Sequence, residues 1–172
     1  MRRWWLRIRL GRRLSLGRGV RLGRGVRIEA GPHGRIVLED GVRVGERARL
    51  LAREGEIRVG RDARIGERTV VVAHAGVDIG AGAQLRSWST VTDFEPVADD
   101  VERPVRLQGV TAKPVRIGER AVVDHAANVL AGARLGAGAR LGPHGVLAGE
   151  VPPGRTAEGA APVAAVVGAP RR

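Results

Sequence analysis

This 172-residue chain predicts an all-β solenoid, a parallel β-helix built from six-residue repeats. Three observations carry that reading. Apolar residues recur six apart in unbroken runs. A small or short residue follows each of them four positions on. Aromatic residues are almost absent, limited to Trp4, Trp5, Trp88 and Phe94 with no tyrosine. An amphipathic helix would space its apolar residues by three and four, and an isolated strand would alternate. A period of six means one short strand and one turn, repeated. Three such units close a triangular coil of about 18 residues, whose strands pair in parallel with the next coil at about 4.8 Å.

The runs justify the coils in order. The first is Leu10, Leu16, Leu22 and Ile28, with Leu14, Val20, Val26 and Pro32 four positions on. The middle runs are Val59, Ile65, Val71 and then Ile79, Leu85, Val91. The last is Ile117, Val123, Val129, Leu135, Leu141 and Leu147, followed at four by Ala121, Ala127, Ala133, Ala139, Gly145 and Val151. The aliphatic residue points into the prism, and the small residue sits where the corner is tight. A glycine often comes next, as at Gly60, Gly80, Gly118 and Gly136, and relieves the turn backbone. A narrow interior of this kind is filled by Val, Leu, Ile and Ala, which is why so few aromatics are needed. The helix spans residues 10–151 in roughly six coils.

Three places break the period. Extra residues surround Gly31-Pro32-His33-Gly34, and Val71 to Ile79 gains two. The largest break is the loop over residues 92–114. Loops longer than about 12–15 residues in a compact domain are usually functional or disordered. Its start is acidic, with Asp93, Glu95, Asp99, Asp100 and Glu102. Residues 1–9 read as a basic N-terminal cap. Residues 152–172 form an Ala/Pro/Gly-rich tail, either an extended strand running back or disordered.

The net charge is +12, from 30 Lys+Arg against 18 Asp+Glu, and Lys113 is the sole lysine. Such a balance favours anionic partners: acidic lipid, acidic glycan, nucleotide phosphates or nucleic acid. A coding bias towards arginine, with solvated side chains, explains the same count. Many arginines immediately precede an inward residue, among them Arg21, Arg27, Arg43, Arg49, Arg58, Arg64, Arg116, Arg134 and Arg140. By alternation they point outward and stack into basic stripes that keep sheet edges soluble. Nucleic acid is the weakest of the partner classes, because the stacking aromatics of such grooves are missing. Residues 1–13 hold six arginines with Trp4-Trp5, a composition suited to an anionic bilayer or to capping the open end of a solenoid. No apolar run reaches the ~18 residues of a membrane span, and the N-terminus lacks the apolar core of a secretory signal. With no cysteine, the chain fits a reducing compartment. The expected location is cytoplasmic, with peripheral contact at the inner face of the membrane.

Several segments together resemble the hexapeptide-repeat acyltransferases, in particular maltose and galactoside O-acetyltransferases and capsule-cluster acetyltransferases. They are the hexads themselves, Val72-Ala73-His74-Ala75 before Ile79-Gly80, and the loop from Val91-Thr92-Asp93-Phe94-Glu95 through Arg103-Pro104-Val105 and Gln108-Gly109. The restart Pro114-Val115-Arg116-Ile117-Gly118 and the ending Glu150-Val151-Pro152-Pro153-Gly154 complete the set. The resemblance covers nearly the whole chain. It implies a left-handed coil, against the usual right-handed crossover. It also implies a homotrimer, acetyl-CoA as acyl donor lying between neighbouring prisms, and transfer to a hydroxyl of a sugar or glycan precursor, with a loop histidine as general base. Here Pro96 stands at that histidine's position. The family's WIG reads Val122-Val123-Asp124, and its G-x-P reads Gly159-Ala160-Ala161-Pro162. The alternative is an inactive scaffold that binds anionic glycan or lipid.

Four residues are candidates for the missing base. Asp93 and Glu95 stand just before Pro96 and would serve if burial raised their basicity. His74 reads first as a corner or interface histidine and second as a base. His125, just after the restart, is a relocated base. Arg86 and Trp88 are expected beneath the loop as acceptor-binding residues. Arg134, Arg140, Gly149 and Pro153 are expected to hold the donor, the arginines through its phosphates. His33 and His144 read as surface turn residues. No metal is expected, since the carbonic anhydrases of this same fold need three histidines at matched corners.

Overall fold

The computed structural model describes residues 11–97, 102, 104 and 108–159, and residues 162–165 as backbone. The cap expected over residues 1–9, and Asp99 and Asp100 in the loop, lie outside the described residues. A short 3-10 turn, Gly11–Arg13, leads into the first strand, and everything regular after it is β.

The strands stack into three parallel faces. Face I begins with Leu14–Leu16, Arg35–Leu38, Glu56–Val59 and Gly76–Ile79, and continues through Val115–Ile117 and Arg134–Leu135. Face II is a seven-stranded sheet of two-residue strands, from Arg21–Leu22 to Thr156–Ala157. Face III holds Arg27–Ala30, Arg49–Ala52, Val70–Ala73, Thr90–Thr92 and Asn128–Val129. Faces I and III merge into one 13-stranded sheet because Val146–Val151 runs round the edge between them. Its first half pairs with Asn128–Val129 and its second with Arg134–Leu135.

The expected coils are present, and the inward positions are those of the repeat. Ile36, Leu50, Ile57, Val71, Val91, Val123, Val129, Leu141 and Leu147 are fully buried, as are Ala121, Ala127, Ala133 and Ala139. The hexad glycines sit where coils touch. A Cβ on Gly118 would lie 2.5 Å from the Ala137 backbone nitrogen, closer than side chains are found. The boundary drawn at residue 152 falls inside a seventh coil, because Thr156–Ala157 pairs with Arg140–Leu141 and Pro162–Ala165 with Val146–Val151.

The period breaks all occur at one edge, between faces III and I. Leu14 pairs with Ile36, Ile36 with Ile57 and Ile57 with Val77, so the early coils run longer than the later Arg116-to-Arg134 coil. Gly31 to Gly34, Arg53 to Gly55 and His74 to Ala75 supply the surplus. The large loop leaves from this edge. Its ends form an antiparallel hairpin, Phe94–Pro96 against Val110–Ala112, which projects from the prism.

Candidate active site

Asp93 roots the hairpin. Its carboxylate is fully buried and accepts backbone N–H bonds from His74 (2.8 Å), Ala75 (2.7 Å) and Gly76 (2.6 Å) of the coil below. The Asp93 carbonyl accepts a further bond from the Lys113 N–H, closing the base of the arm. Three donors leave no free oxygen facing an acceptor, so Asp93 is a clamp for the corner, and the expectation that it acts as base is corrected on that ground.

The clamp places His74 against the arm. The His74 and Phe94 rings lie 4.6 Å apart at a 55° tilt, and His74 is half-buried. Glu95 is exposed on the first hairpin strand and stands opposite Thr111. Pro96 pairs with Val110 at the strand end, and its ring offers no proton acceptor.

His125 is elsewhere. It is exposed at the edge between faces II and III, with its ring 6.0 Å from that of His144. Arg86 and Trp88 occupy the same edge. The expectation that they underlie the hairpin is therefore corrected: the strand Thr90–Thr92 separates them from it. The period alone does not say which of three edges a turn occupies, and the surplus residues in earlier coils obscured the count.

Arg140 also has a different partner from the one expected. It pairs with Asp124, which is buried, and Arg86 approaches the same carboxylate at 3.4 Å. Burial by itself pushes Asp124 up. The His125 backbone N–H and the guanidinium groups of Arg140 and Arg86 outweigh it and hold the carboxyl below its usual range. Arg140 is thus committed to a structural clasp across three coils. The clasp could not be read from residue spacing, though Asp124 itself stood out where glycine was expected.

The donor candidates divide in the same way. Arg134 and Pro153 line a groove of about 510 Å³ along face I and its edge with face II, together with Arg116, Gly118, Gly136 and Glu150. Gly149 lies at the opposite edge of face I, within Val146–Val151. Arg116, which is not among the expected donor residues, lines the same groove. It stacks in register on Arg134, and the 18-residue step between them, one coil, was the available signal. A second hollow of about 290 Å³, lined by Gly76, Val77, Pro114 and Val115, shares Arg58, Asp78 and Arg116 with the first. Together they make one path across face I, from the foot of the hairpin to the C-terminal coils. Among the described residues no group of three or more His, Cys, Asp or Glu side chains is placed to hold a metal ion. No described helix is long and apolar enough to cross a membrane.

Comparison with known proteins bears out the resemblance to hexapeptide-repeat acyltransferases. No family model matches the chain. A probable acetyltransferase of Mycobacterium tuberculosis is 33% identical over 119 residues, covering 69% of this chain. The chain spans 40% of that relative's length. Among solved structures, AntD, an N-acyltransferase from Bacillus cereus in complex with dTDP and 3-hydroxybutyryl-CoA, superposes with a TM-score of 0.76 at 15% identity, covering 92% of this chain and 84% of that one. The polySia-specific acetyltransferase NeuO gives 0.59 at 18% identity, covering 85% and 76%. A maltose O-acetyltransferase from Clostridium difficile 630 gives 0.56 at 17%, covering 87% and 67%. At these identities the structural likeness shows the fold.

Proposed function

From the premise that this chain is a hexapeptide-repeat β-helix similar to acyltransferases, we propose that it transfers an acyl group, acetyl in the simplest case, from acyl-CoA to a hydroxyl of a sugar or glycan precursor. The observation that carries this reading is the continuous path across face I. It joins a pair of stacked arginines, Arg116 and Arg134, to the foot of the hairpin. An elongated donor with phosphates at one end and a reactive thioester at the other needs such a path. Arginines in register suit the phosphates, because their planar donors match phosphate oxygens. Gly118 and Gly136 keep the floor free of side chains.

When bound, acyl-CoA would supply the activated thioester. At the hairpin foot, His74 is the proton acceptor in this reading. Its imidazole is half-buried beside Phe94, and an unprotonated imidazole nitrogen carries the lone pair that a general base needs. It takes the proton from the acceptor hydroxyl as that oxygen attacks the thioester carbonyl, and returns it to the sulfur as the C–S bond breaks and CoA leaves as the free thiol. Glu95, exposed on the adjacent strand, is the second candidate. A homotrimer, in which a neighbouring prism walls the path, belongs to the same proposal.

Pro96 favours a second reading, a non-catalytic scaffold, since it removes the proton acceptor from the family's position. One experiment separates the two. The melting temperature is measured with acetyl-CoA, with ADP as an anionic nucleotide control and with added salt. A specific ligand at 100 times its dissociation constant stabilises by about 2.7 kcal/mol. We expect a rise that ADP does not reproduce and salt does not remove. We also expect H74Q to keep that rise while release of free CoA thiol falls about 100-fold or more. A rise shared with ADP and abolished by salt would sink the transferase and leave the scaffold.

A further inference from the structure

The edge between faces II and III carries an aromatic residue that the transfer reading leaves unused. Trp88 is 51% exposed and is one of two large hydrophobic side chains exposed among the described residues. It also has a left-handed backbone, φ 66°, which a bulky side chain seldom adopts. Six successive coils have a left-handed residue at this corner: Gly25, Arg47, Arg68, Trp88, Ala126 and His144. The corner thus demands the conformation, but it does not demand an indole.

The corner holding Trp88 is braced. The Arg86 carbonyl accepts from the buried hydroxyls of Ser89 (2.8 Å) and Thr69 (3.0 Å), and the Trp88 backbone N–H donates to the Glu67 carbonyl. The Arg68 guanidinium lies 4.5 Å from the ring centroid on one side. The coil on the other side places Ala126, with only a methyl group, at the equivalent position. The result is a fixed, half-exposed ring backed by a cation.

Beyond Arg68 the surface stays basic. Arg47 occupies the same corner one coil further, and Arg64 and Arg43 stack in register on face II. Among the described residues, Arg43, Arg47 and Arg64 have no carboxylate within 4.0 Å, whereas Arg68 has Glu67 at 3.6 Å and Arg24 has Glu46 at 3.8 Å. A flat ring beside donors for anions suits one ligand class. The apolar face of a pyranose covers an indole, and a carboxylate or phosphate on the sugar meets the guanidinium groups.

We propose that this edge is a binding site for an acidic oligosaccharide, with one sugar ring on Trp88 and the acidic groups of that ring and its neighbours on Arg68, Arg47 and Arg64. The strand Thr90–Thr92 separates it from the hairpin foot, so it is a remote subsite that does not depend on the transfer reading. The test is run without acyl donor, so its failure leaves that reading untouched.

Tetragalacturonate, with neutral maltotetraose as control, is titrated into the full-length protein at physiological salt. The indole N–H signals are followed by NMR, with Trp88 assigned through W88F, and affinity is read by calorimetry. We expect tetragalacturonate to shift the Trp88 signal. W88A and the double variant R47A/R68A should each weaken binding about tenfold, with W88F closer to the parent and maltotetraose the weaker ligand throughout. A silent Trp88 signal, or unchanged affinity in both W88A and R47A/R68A, would overturn the proposal. So would a W88A protein that loses a self-association seen in the parent, since a second copy would then cover the ring. Phosphatidylserine vesicles that bind the parent and W88A alike, with no sugar binding, would assign the surface to lipid instead.

Discussion

Asp124 shows how a buried charge is kept in the wall of a prism whose interior is aliphatic. Its carboxylate is held by a backbone N–H and two arginines from the coils on either side. Removing the charge leaves two half-exposed guanidinium groups unopposed, and D124N should cost about 1–3 kcal/mol. The pH dependence follows from the sign of the shift. A carboxyl whose folded-state value is depressed contributes stability above its unfolded value, near 3.9, and loses it as pH falls through the lower folded value. Urea midpoints measured from pH 6 downward should therefore drop below about pH 4 in the parent, with a shallower drop in D124N. Equal slopes would mean that Asp124 is not held below its usual range. Asp93 belongs to the same scale. Both residues are acids that a reading by residue type assigns to chemistry or to solvent, and both serve the backbone.

At the scale of elements, the hairpin of Phe94–Pro96 and Val110–Ala112 is an insertion in a stack that continues without it. The strands before it pair with those after it, Val77 with Val115 and Val91 with Val129. The later coils turn the same edge in far fewer residues, as at Leu130 to Gly132. Replacing residues 94–112 by a short glycine-containing turn should therefore keep the β circular dichroism and a cooperative melt. CoA-thiol release should fall to background, since Phe94 and Glu95 leave with the arm. An excised chain that fails to fold would show that the arm braces the prism. A folded one that still transfers would remove the hairpin from the active site.

At the scale of the whole molecule, stability is close to one-dimensional, because each coil touches only its neighbours. The interior is a column of aliphatic side chains with alanines at the corners, and no described aromatic residue is buried in it. Leu85 is 1% exposed in the fourth coil. L85A should cost about 2–5 kcal/mol and speed amide exchange in the third to fifth coils more than in the first. Uniform acceleration along the chain would mean that the solenoid opens as a single unit.

Much of this was legible in the residues. The six-residue period by itself determined the all-β solenoid, the inward residues, the outward arginines and the place where the chain interrupts its repeat. Those features depend only on side-chain alternation and on the size a corner tolerates. The resemblance carried by the loop and the restart pointed to an acyl donor. Only the tertiary structure decided which edge each turn occupies. It put His74 beside the hairpin, and it moved His125, Arg86 and Trp88 to another edge. It also committed Asp93 and Arg140 to structural partners and brought Arg116 onto Arg134. The physical reason is the stacking register. Early coils carry surplus residues at one edge, so residues far apart in number become neighbours only once each coil is seated on the one before it.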